Sequence, residues 1–523
     1  MLLIFMLQKN NMKKEKFYIT TTLPYVNADP HIGFALEIVQ ADIIARHQKF
    51  LGKEIVFNTG TDEHGIKIYR KALDEKKDPQ IYVDEYAAKF EKLKNALNLT
   101  YTNFIRTTDV AHKAAAQEFW RRCVANGDIY KKLYKVKYCI GCELEKTDSE
   151  LVNGRCPIHP NLELEIIEEE NYFFRFSKYE KPLLDFYKTH PDFVIPDFRF
   201  NEIKQFVKNG LQDFSVSRLK EKMPWGISVP DNEKHVMYVW FDALVNYIST
   251  LGWPDDEKRF KDFWPGVQIA GKDNLRQQTA MWQAMLLSAS LPNSKQVIIH
   301  GFITSGGQKM SKSLGNVANP YEVLEKIQEA GLSKEQATDA LRYYLAREIP
   351  TFEDGDYTWE HFAETYGANL ANGLGNLVSR VLAMVEKYFD GIVPEKSDGD
   401  MEDFWKSYNA AIDGYKLNTA LDFVWKEIAV CDEIVDKEKP WELAKSDKER
   451  LSEVIYNLCE RIRHIAVALS PFLPNTALKI LSKYGIMETD LEKSFKELQK
   501  WGGLKAGQKV EKGDALFPRL EIK

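Results

Sequence analysis

Strand-like and helix-like patterns alternate over the first hundred residues, and this rhythm restricts the chain to an α/β fold with a parallel sheet. The strand-like runs, including two later ones, are FYITTT (17–22), EIVFN (54–58), VQIAG (267–271) and QVIIHG (296–301). The helix between the first two runs carries apolar residues at helical spacing: Phe34, Ile38, Ala41 and Ala45. Ligands bind at the carboxyl ends of parallel strands, so we expect a site where these strands end.

Two further regions depart from this rhythm. Residues 116–230 contain a cysteine and histidine cluster and several prolines, which indicates an insertion into the sheet domain. Toward the carboxyl terminus the apolar residues follow helical faces, and short proline breaks at 438–441 and 470–474 separate the helices. This pattern predicts an antiparallel helical bundle.

The composition is that of a globular protein of about three domains, with 523 residues, 44% hydrophobic and 28% charged. A net charge of −6 excludes a general attraction to nucleic acid, so local patches must bind any RNA. Six cysteines indicate a reducing compartment. The apolar run at the N-terminus precedes its lysines, unlike a secretory signal, and no run reaches the length of a membrane span. We therefore expect a cytoplasmic protein that does not associate with a membrane.

Three cysteines and a histidine in the insertion have the spacing of metal ligands. CIGC (Cys139, Cys142) and CPIH (Cys156, His159) give C-x2-C-x13-C-x2-H, which is typical of a tetrahedral zinc knuckle. A redox CxxC pair is the alternative, but it does not explain the second half of the motif. Four protein ligands close the site, so we expect one structural Zn²⁺.

A Pro-His-x-Gly turn at residues 30–33 opens the first helix directly after a strand. Backbone N–H groups at a helix N-terminus favour phosphate, Gly33 lets a nucleotide approach the backbone, and His31 adds a side-chain donor. A helix-capping turn without a ligand is the alternative. The Gly/Ser-rich stretch SGGQKMSKSLGN (305–316) carries Lys309 and Lys312, which can close over the β- and γ-phosphates of ATP. The two motifs together favour a nucleotide site.

HIG (31–33) and KMSKS (309–313) resemble the two signatures of class I aminoacyl-tRNA synthetases. The resemblance extends over nearly the whole chain to the methionyl-tRNA synthetases, through stretches that include TTLPYVNADPHIG, NTGTDEHG, YVWFDAL, QKMSKSLGN, DALRYYLAREIP, EDGDYTW, ANGLGNLVSR and KPWELAK. It implies a Rossmann-like parallel-sheet catalytic domain with a zinc-knuckle insertion, followed by an all-α helical-bundle anticodon-binding domain. The implied boundaries are 1–14 for an extension, 15–115 and 231–300 for the catalytic halves, 116–230 for the insertion, 301–358 for the KMSKS loop and stem-contact region, and 359–523 for the anticodon domain.

The resemblance also implies a ligase that activates L-methionine with ATP and Mg²⁺ and transfers it to tRNA(Met), including the initiator tRNA. The carboxylate displaces pyrophosphate without a covalent enzyme intermediate, so positioned donors and cations carry the catalysis. His31, Lys309 and Lys312 match the catalytic positions. The ATP-binding positions match His31, Gly33, Phe34, Gly271, Asp273, Lys309, Met310, Ser311, Lys312 and Ser313.

The implied amino-acid pocket combines one carboxylate with an apolar cup. Asp62 in TDEHG matches the partner of the substrate ammonium, and aromatic residues suit contact with a thioether. The matched cup residues are Leu23, Tyr25, Trp240, Tyr247, Gln278 and Trp282.

Several residues depart from the usual family pattern. Phe34 stands where the first signature usually has a second His, so a donor expected near the nucleotide is missing. Gln278 stands where a His is expected near the methionine side chain, Asn274 and Gln277 make the cup more polar, and Leu244 replaces a usual Pro. A class I synthetase for a different apolar amino acid therefore remains an alternative.

Three residues of the helical domain resemble the anticodon readers of the family. Asn376 and Arg380 are one helical turn apart and can read base edges, and Trp441 can stack on a base. A helix-packing Trp and a solvated Arg are the alternative. A tRNA-binding paralogue without catalysis is a further alternative, which the retained catalytic positions disfavour. Because the chain ends soon after the helical domain, we expect a monomer.

Overall fold

A six-stranded parallel sheet forms the centre of the amino-terminal part of the computed structural model, which describes residues 14–142, 144–146, 148–310, 317–492 and 494–521. The strands of the described residues, in chain order, are β1 (Lys16–Thr20), β2 (Glu54–Thr61), β3 (Asn103–Arg106), β4 (Ile129–Cys139), β5 (Leu144–Lys146), β6 (Glu165–Phe174), β7 (Val194–Ile195), β8 (Phe214–Ser215), β9 (Ser217–Leu219), β10 (Ser228–Val229), β11 (Asn232–Met237), β12 (Val267–Gly271), β13 (Gln296–His300), β14 (Ile303–Ser305), β15 (Gln308–Lys309) and β16 (Gly355–Asp356).

The main sheet has the strand order β3-β2-β1-β12-β13-β7, and every pairing in it is parallel. The chain continues from β1 to β2 and β3 on one side and later adds β12 and β13 on the other. The strand order therefore reverses between β1 and β12, which opens a crevice at their carboxyl ends. The four strands predicted from the sequence are confirmed as members of one parallel sheet.

Helices pack on this sheet and then form the carboxyl-terminal part of the chain. Among the described residues the α-helices are α1 (Ile32–Phe50), α2 (Ile66–Asp74), α3 (Pro79–Glu91), α4 (Leu93–Ala96), α5 (Val110–Ala125), α6 (Glu180–Thr189), α7 (Asp197–Lys208), α8 (Val239–Ala243), α9 (Asn246–Ser249), α10 (Glu257–Phe263), α11 (Trp282–Ser288), α12 (Pro320–Glu329), α13 (Lys334–Tyr343), α14 (Trp359–Thr365), α15 (Asn376–Phe389), α16 (Glu402–Asp413), α17 (Leu417–Glu438), α18 (Pro440–Ser446), α19 (Lys448–Leu469), α20 (Pro474–Lys483) and α21 (Phe495–Leu498). The apolar stripe predicted on α1 is buried along its whole length.

Residues 116–230, which we predicted to be an insertion, contain a second sheet but also contribute a strand to the main sheet. Strands β4, β5, β6 and β8 make an antiparallel sheet in the order β5-β4-β6-β8. Strand β7, by contrast, pairs in parallel with β13 and becomes an edge of the main sheet. Two residues are too few to carry a hydrophobic period, so the sequence pattern could not reveal this strand.

The carboxyl-terminal helices form the predicted bundle. The proline breaks end and begin helices as expected: α17 ends at Glu438 before Pro440 opens α18, and α19 ends at Leu469 before Pro474 opens α20. Proline suits the first helical turn because an N–H group there has no acceptor within the helix, so the lack of an N–H in proline removes no hydrogen bond. Within the described residues, no helix combines the length and apolar character that crossing a membrane requires.

Candidate active site

A cleft of ≈ 620 Å³ opens at the carboxyl ends of the central strands, where the strand order reverses. Residues after β1, β2, β12 and β13 line it, together with residues of α1 and α8. The residues predicted from the sequence that line the cleft are Leu23, Tyr25, His31, Gly33, Phe34, Asp62, Trp240, Tyr247, Gly271, Asp273, Gln278 and Met310. Twelve side chains or backbone segments from distant parts of the sequence thus share one crevice.

His31 caps the N-terminus of α1 at the mouth of the cleft. Its Nδ1 accepts a hydrogen bond from the N–H of Gly33 at 3.1 Å. Desolvation in the cleft lowers the pKa of His31, and the carboxylates of Asp273 and Glu37 oppose this shift. A neutral ring that accepts at Nδ1 carries its hydrogen on Nε2, so His31 can donate to a phosphate at the helix N-terminus. A side chain at position 33 would lie 2.9 Å from Nδ1, which explains the glycine there.

Phe34 lies on the wall of the cleft, at the position where a second histidine was expected. Its ring packs edge-on against Phe90, with ring centroids 5.5 Å apart, and only 7% of the residue is exposed. The pair presents an apolar surface to the cleft instead of a hydrogen-bond donor. An apolar face of this kind suits contact with a flat ring or ribose carbon atoms rather than with phosphate.

Backbone pairing holds Asp62 against the segment that contains Tyr25. The N–H of Asp62 donates to the carbonyl of Pro24 at 3.0 Å, and the N–H of Val26 donates to the carbonyl of Asp62 at 3.2 Å. The hydroxyl of Tyr25 donates to the carbonyl of His64 at 2.6 Å. These bonds fix a buried carboxylate beside an aromatic ring, and a carboxylate can accept charge-assisted hydrogen bonds from an ammonium group.

A chain of amide hydrogen bonds orients Gln278 and, through it, Tyr247. The hydroxyl of Ser294 donates to Oε1 of Gln268, so the amide nitrogen of Gln268 faces Oε1 of Gln278 at 3.3 Å. Nε2 of Gln278 then donates to the Tyr247 oxygen at 2.7 Å. The Tyr247 hydroxyl hydrogen is left to point elsewhere and can reach a weak acceptor such as a thioether sulfur.

Two residues predicted for this region do not line the cleft. Trp282 lies behind Tyr247, with ring centroids 5.9 Å apart, and stacks on Phe119, so it supports the cup rather than forming it. Gln277 is buried away from the cleft, because successive residues of the π-helical turn Gln277–Met281 point in different directions and Gln278 takes the inward one. Asn274 and Leu244 do line the cleft.

A buried ion pair in the cleft was missed from the sequence. Nε2 of His300, at the end of β13, lies 2.9 Å from Oε2 of Glu37 on α1, and Nδ1 lies 2.7 Å from the carbonyl of Gly301. Burial opposes protonation of His300, but the hydrogen bond and charge of Glu37, together with the Gly301 carbonyl and the charge of Asp273, raise the pKa of His300 overall. Glu37 also accepts from the N–H and hydroxyl of Thr22. Two sequence signals could have indicated this pair: Glu37 is a carboxylate within the apolar stripe of α1, and His300 is a histidine at the carboxyl end of a strand.

A hairpin leads into the lysine motif. Strands β14 and β15 pair through Thr304 and Lys309, and Gly306 and Gly307 turn the chain with positive φ angles of 60° and 73°. The carboxylate of Asp356 accepts from the N–H of Gly307 at 2.9 Å and holds the turn. Met310 reaches the cleft. Ser311, Lys312 and Ser313 lie outside the described residues, as does the side chain of Lys309.

The four predicted metal ligands converge at the end of β4. Their ligand atoms all lie within 4.8 Å of one another. Sγ of Cys142 is 3.5 Å from Sγ of Cys156 and 3.2 Å from Nδ1 of His159, and Sγ of Cys139 is 3.8 Å from the same nitrogen. Ligands about 2.0–2.3 Å from a tetrahedral ion are separated by about 3.3–3.8 Å, so this donor set fits a metal such as zinc. Cys142 also lines the cleft.

The three residues predicted to read the anticodon lie on the helical bundle. Asn376 is exposed at the start of α15, and Trp441 on α18 is 43% exposed. The Arg380 guanidinium lies 3.2 Å from Asp436 and 3.6 Å from Asp432, both on α17. The two aspartates hold the guanidinium at the surface.

The parallel sheet, the His31 turn and the β14–β15 hairpin, which leads into the KMSKS sequence, are together the features of a class I aminoacyl-tRNA synthetase. A family model described as "tRNA synthetases class I (M)" matches residues 17–165 and 160–382, and one described as "Anticodon binding domain of methionyl tRNA ligase" matches residues 395–522. The chain belongs to the methionyl-tRNA synthetase family.

Curated relatives and solved structures agree with this assignment. The methionine–tRNA ligase of Thermotoga maritima is 40% identical over 522 residues, which are 97% of this chain and 81% of the relative. That of a Nostoc species is 40% identical over 533 residues, which are 98% of each chain. The structure of Mycobacterium tuberculosis methionyl-tRNA synthetase in complex with methionyl-adenylate matches with a TM-score of 0.89 at 34% identity, covering 97% of this chain and all of that one. Its free state matches with a TM-score of 0.84.

Proposed function

We propose that this protein is a methionine–tRNA ligase. It joins methionine to ATP as methionyl-adenylate, releases pyrophosphate, and transfers the methionyl group to the 3′-terminal ribose of tRNA(Met), including the initiator tRNA. The observation that carries the proposal is the single cleft in which the His31 turn, Asp62 and the Tyr247 cup face one another. The names of the relatives and the adenylate in the similar structure support the same reaction.

In the first step, binding and orientation account for the catalysis. Asp62 receives the methionine ammonium, and Tyr247, oriented by Gln278, faces the thioether. Asp273, which lines the cleft after β12, accepts from the ribose hydroxyls. These contacts bring the methionine carboxylate to the α-phosphorus of ATP, which is the geometric condition for in-line displacement.

The negative charge that develops on the phosphates needs donors and cations. His31 donates from Nε2, and the N–H groups at the start of α1 add a favourable dipole. Lys309 and Lys312 close over the β- and γ-phosphates as pyrophosphate leaves. Mg²⁺ bound to the ATP substrate would supply further neutralisation of the phosphates. No side chain becomes covalently modified in this scheme.

We propose that Asn376, Arg380 and Trp441 recognise the anticodon loop. An exposed amide and a guanidinium can read base edges, and the half-exposed indole can stack on an unpaired base. Among the described residues, one chain lines the cleft, and we therefore propose that the enzyme acts as a monomer. We also propose that it acts in the cytoplasm. Light scattering during gel filtration tests the oligomeric state, and a stable dimer would contradict the proposal.

We expect ATP–pyrophosphate exchange that depends on methionine. Exchange measured in parallel with methionine, norleucine, leucine and isoleucine should favour methionine over norleucine, since only the thioether can accept from Tyr247. A stronger response to leucine or isoleucine would favour the class I synthetase for a different apolar amino acid. The absence of exchange with every amino acid would leave only a tRNA-binding paralogue.

We further propose that Cys139, Cys142, Cys156 and His159 hold one structural Zn²⁺. The purified protein should contain about one zinc per chain by mass spectrometry of the metal, as a closed site of three thiolates and an imidazole implies. Cys142→Ser should lower the zinc content by at least about tenfold, because the thiolate is a soft ligand that a hydroxyl does not replace. The matched control is Cys431→Ala, which changes a buried cysteine of the helical bundle and should leave zinc in place. Full zinc in Cys142→Ser would exclude this ligand set.

A further inference from the structure

A buried histidine–aspartate pair joins two walls of the cleft. Nδ1 of His64 lies 3.1 Å from Oδ2 of Asp242, and the two side chains are 3% and 0% exposed. His64 follows β2 two residues after Asp62, and Asp242 lies on α8 two residues after Trp240. Neither His64 nor Asp242 lines the cleft, although Asp62 and Trp240, each two residues away, do.

The His64 side of the pair belongs to a tightly held loop. The carbonyl of His64 accepts from the Tyr25 hydroxyl at 2.6 Å, and its ring packs edge-on against Trp225 with ring centroids 5.7 Å apart. The indole N–H of Trp225 donates to the carbonyl of Glu63 at 2.6 Å. These contacts connect the His64 ring and the backbone of residues 63 and 64, directly after Asp62, to the same two aromatic side chains.

The Asp242 carboxylate has His64 as a hydrogen-bond partner on one of its two oxygen atoms. Oδ1 of Asp242 is buried without a hydrogen-bond partner among the residues that the structure describes. Burial raises the pKa of the Asp242 carboxyl, and the nearby His64 opposes this shift. A buried carboxyl is unfavourable unless it is hydrogen-bonded, so the contact with His64 restrains the position of Asp242 and with it this part of α8.

The pair is suited to set the spacing between the ammonium site and the side-chain cup. It links the β2 loop, which carries Asp62, to α8, which carries Trp240, across 178 positions of sequence. Displacements of about 1 Å at a substrate-positioning group are enough to impair binding or catalysis. A hydrogen bond behind the two walls would restrict such displacements while remaining out of contact with substrate.

We propose that His64 and Asp242 are positioning residues for methionine, acting through Asp62 and Trp240 rather than by touching the substrate. This inference rests on the proposed function. Loss of the pair should weaken methionine binding more than it slows adenylate formation, because His31 and the other phosphate-binding groups lie on other elements.

Asp242→Leu provides the direct test, because leucine has a similar size and cannot accept a hydrogen bond. We expect the KM for methionine in ATP–pyrophosphate exchange to rise about tenfold while kcat changes by less than about threefold, as expected for the loss of one hydrogen bond to a charged group. Asp242→Asn keeps an acceptor oxygen for His64 and should restore KM to near the wild-type value. Methionine binding followed by tryptophan fluorescence should show the same order of affinities.

A double-mutant cycle and a matched control separate positioning from general destabilisation. His64→Leu combined with Asp242→Leu should be no worse than either single change, since both remove one interaction. The control is Asp128→Leu: Asp128 is also fully buried, and it accepts from Tyr179, Ser288 and Lys178, none of which lines the cleft. It should lower stability without changing KM. His64→Leu carries the same test if Asp242→Leu does not fold.

Three outcomes would overturn the inference. These are an unchanged KM in Asp242→Leu and His64→Leu, a loss of kcat without a change in KM, and an equal rise of KM in Asp128→Leu. If the wild-type enzyme shows methionine-dependent ATP–pyrophosphate exchange and the variants behave in one of these ways, the positioning role alone is refuted. A wild-type enzyme without methionine exchange refutes the proposed function itself.

Discussion

Replacing His31 with alanine should lower kcat for methionine-dependent ATP–pyrophosphate exchange by about 100- to 1,000-fold, as found for loss of a preorganised donor to developing charge. The KM for methionine should remain nearly unchanged, because the proposed amino-acid pocket is formed by other residues of the cleft, among them Asp62 and Tyr247. The reason is the ring geometry: Nδ1 is occupied by the N–H of Gly33, so Nε2 is the atom that donates to phosphate. Initial-rate exchange at saturating ATP measures the effect.

His31 is also a helix cap, so the experiment needs a control for capping. Ser333 caps α13 by accepting from the N–H of Gln336, and it lies outside the cleft. Ser333→Ala should lower stability by about 1 kcal/mol, as the loss of a cap does, and leave exchange intact. If His31→Ala lost no more activity than Ser333→Ala, His31 would be only a structural cap.

Local patterns predicted those parts of the fold in which a residue's environment depends on its near neighbours. The apolar runs of β1, β2, β12 and β13 are readable because strands covered on both faces are continuously apolar. The α1 stripe and the proline breaks of the bundle likewise follow from spacing within a single element. The metal ligands could be paired from sequence for the same reason, since each pair sits within one short turn.

Contacts between residues that are distant in the sequence could not be predicted from local patterns. Glu37 and His300 meet across 263 positions, and nothing in either local pattern selects the other. Trp282 was assigned to the cup by its context, yet whether it or Tyr247 faces the cleft depends on how α11 packs against Phe119. Such choices are made by tertiary packing, which periodicity does not record.

A buried carboxylate in the helical bundle is expected to dominate the stability of the carboxyl-terminal segment. Glu460 on α19 is fully buried and accepts from three consecutive backbone N–H groups, those of Gly502, Gly503 and Leu504, at 2.7–2.9 Å. It also pairs with Arg463 at 2.7 Å. Glu460→Gln should lower the free energy of unfolding by about 3–5 kcal/mol, because it leaves a buried guanidinium without its counter-charge and turns an amide NH₂ toward other donors.

The pH dependence of this effect follows from the same contacts. Burial alone would raise the pKa of Glu460, but the hydrogen bonds and charges of His464 and Arg463 outweigh burial and lower it far below its usual range. A carboxylate with a lowered pKa in the folded protein stabilises fully above its unfolded pKa of about 4.3, and this stabilisation is lost progressively as the pH falls from the unfolded pKa through the folded pKa. The stability difference between wild type and Glu460→Gln should therefore be constant from about pH 6 to 8 and shrink only below about pH 4.

Hydrogen exchange provides a local readout of the Glu460 contacts. The amides of residues 502–504 should lose protection in Glu460→Gln, whereas the amides of the central sheet should not change. Glu453→Gln is the matched control on the same helix: its carboxylate forms an exposed ion pair with Arg450 at 2.8 Å, so its loss should change stability by less than about 1 kcal/mol. Equal effects of the two substitutions, or unchanged protection at 502–504, would show that the backbone of this segment is held by its apolar contacts and not by the carboxylate.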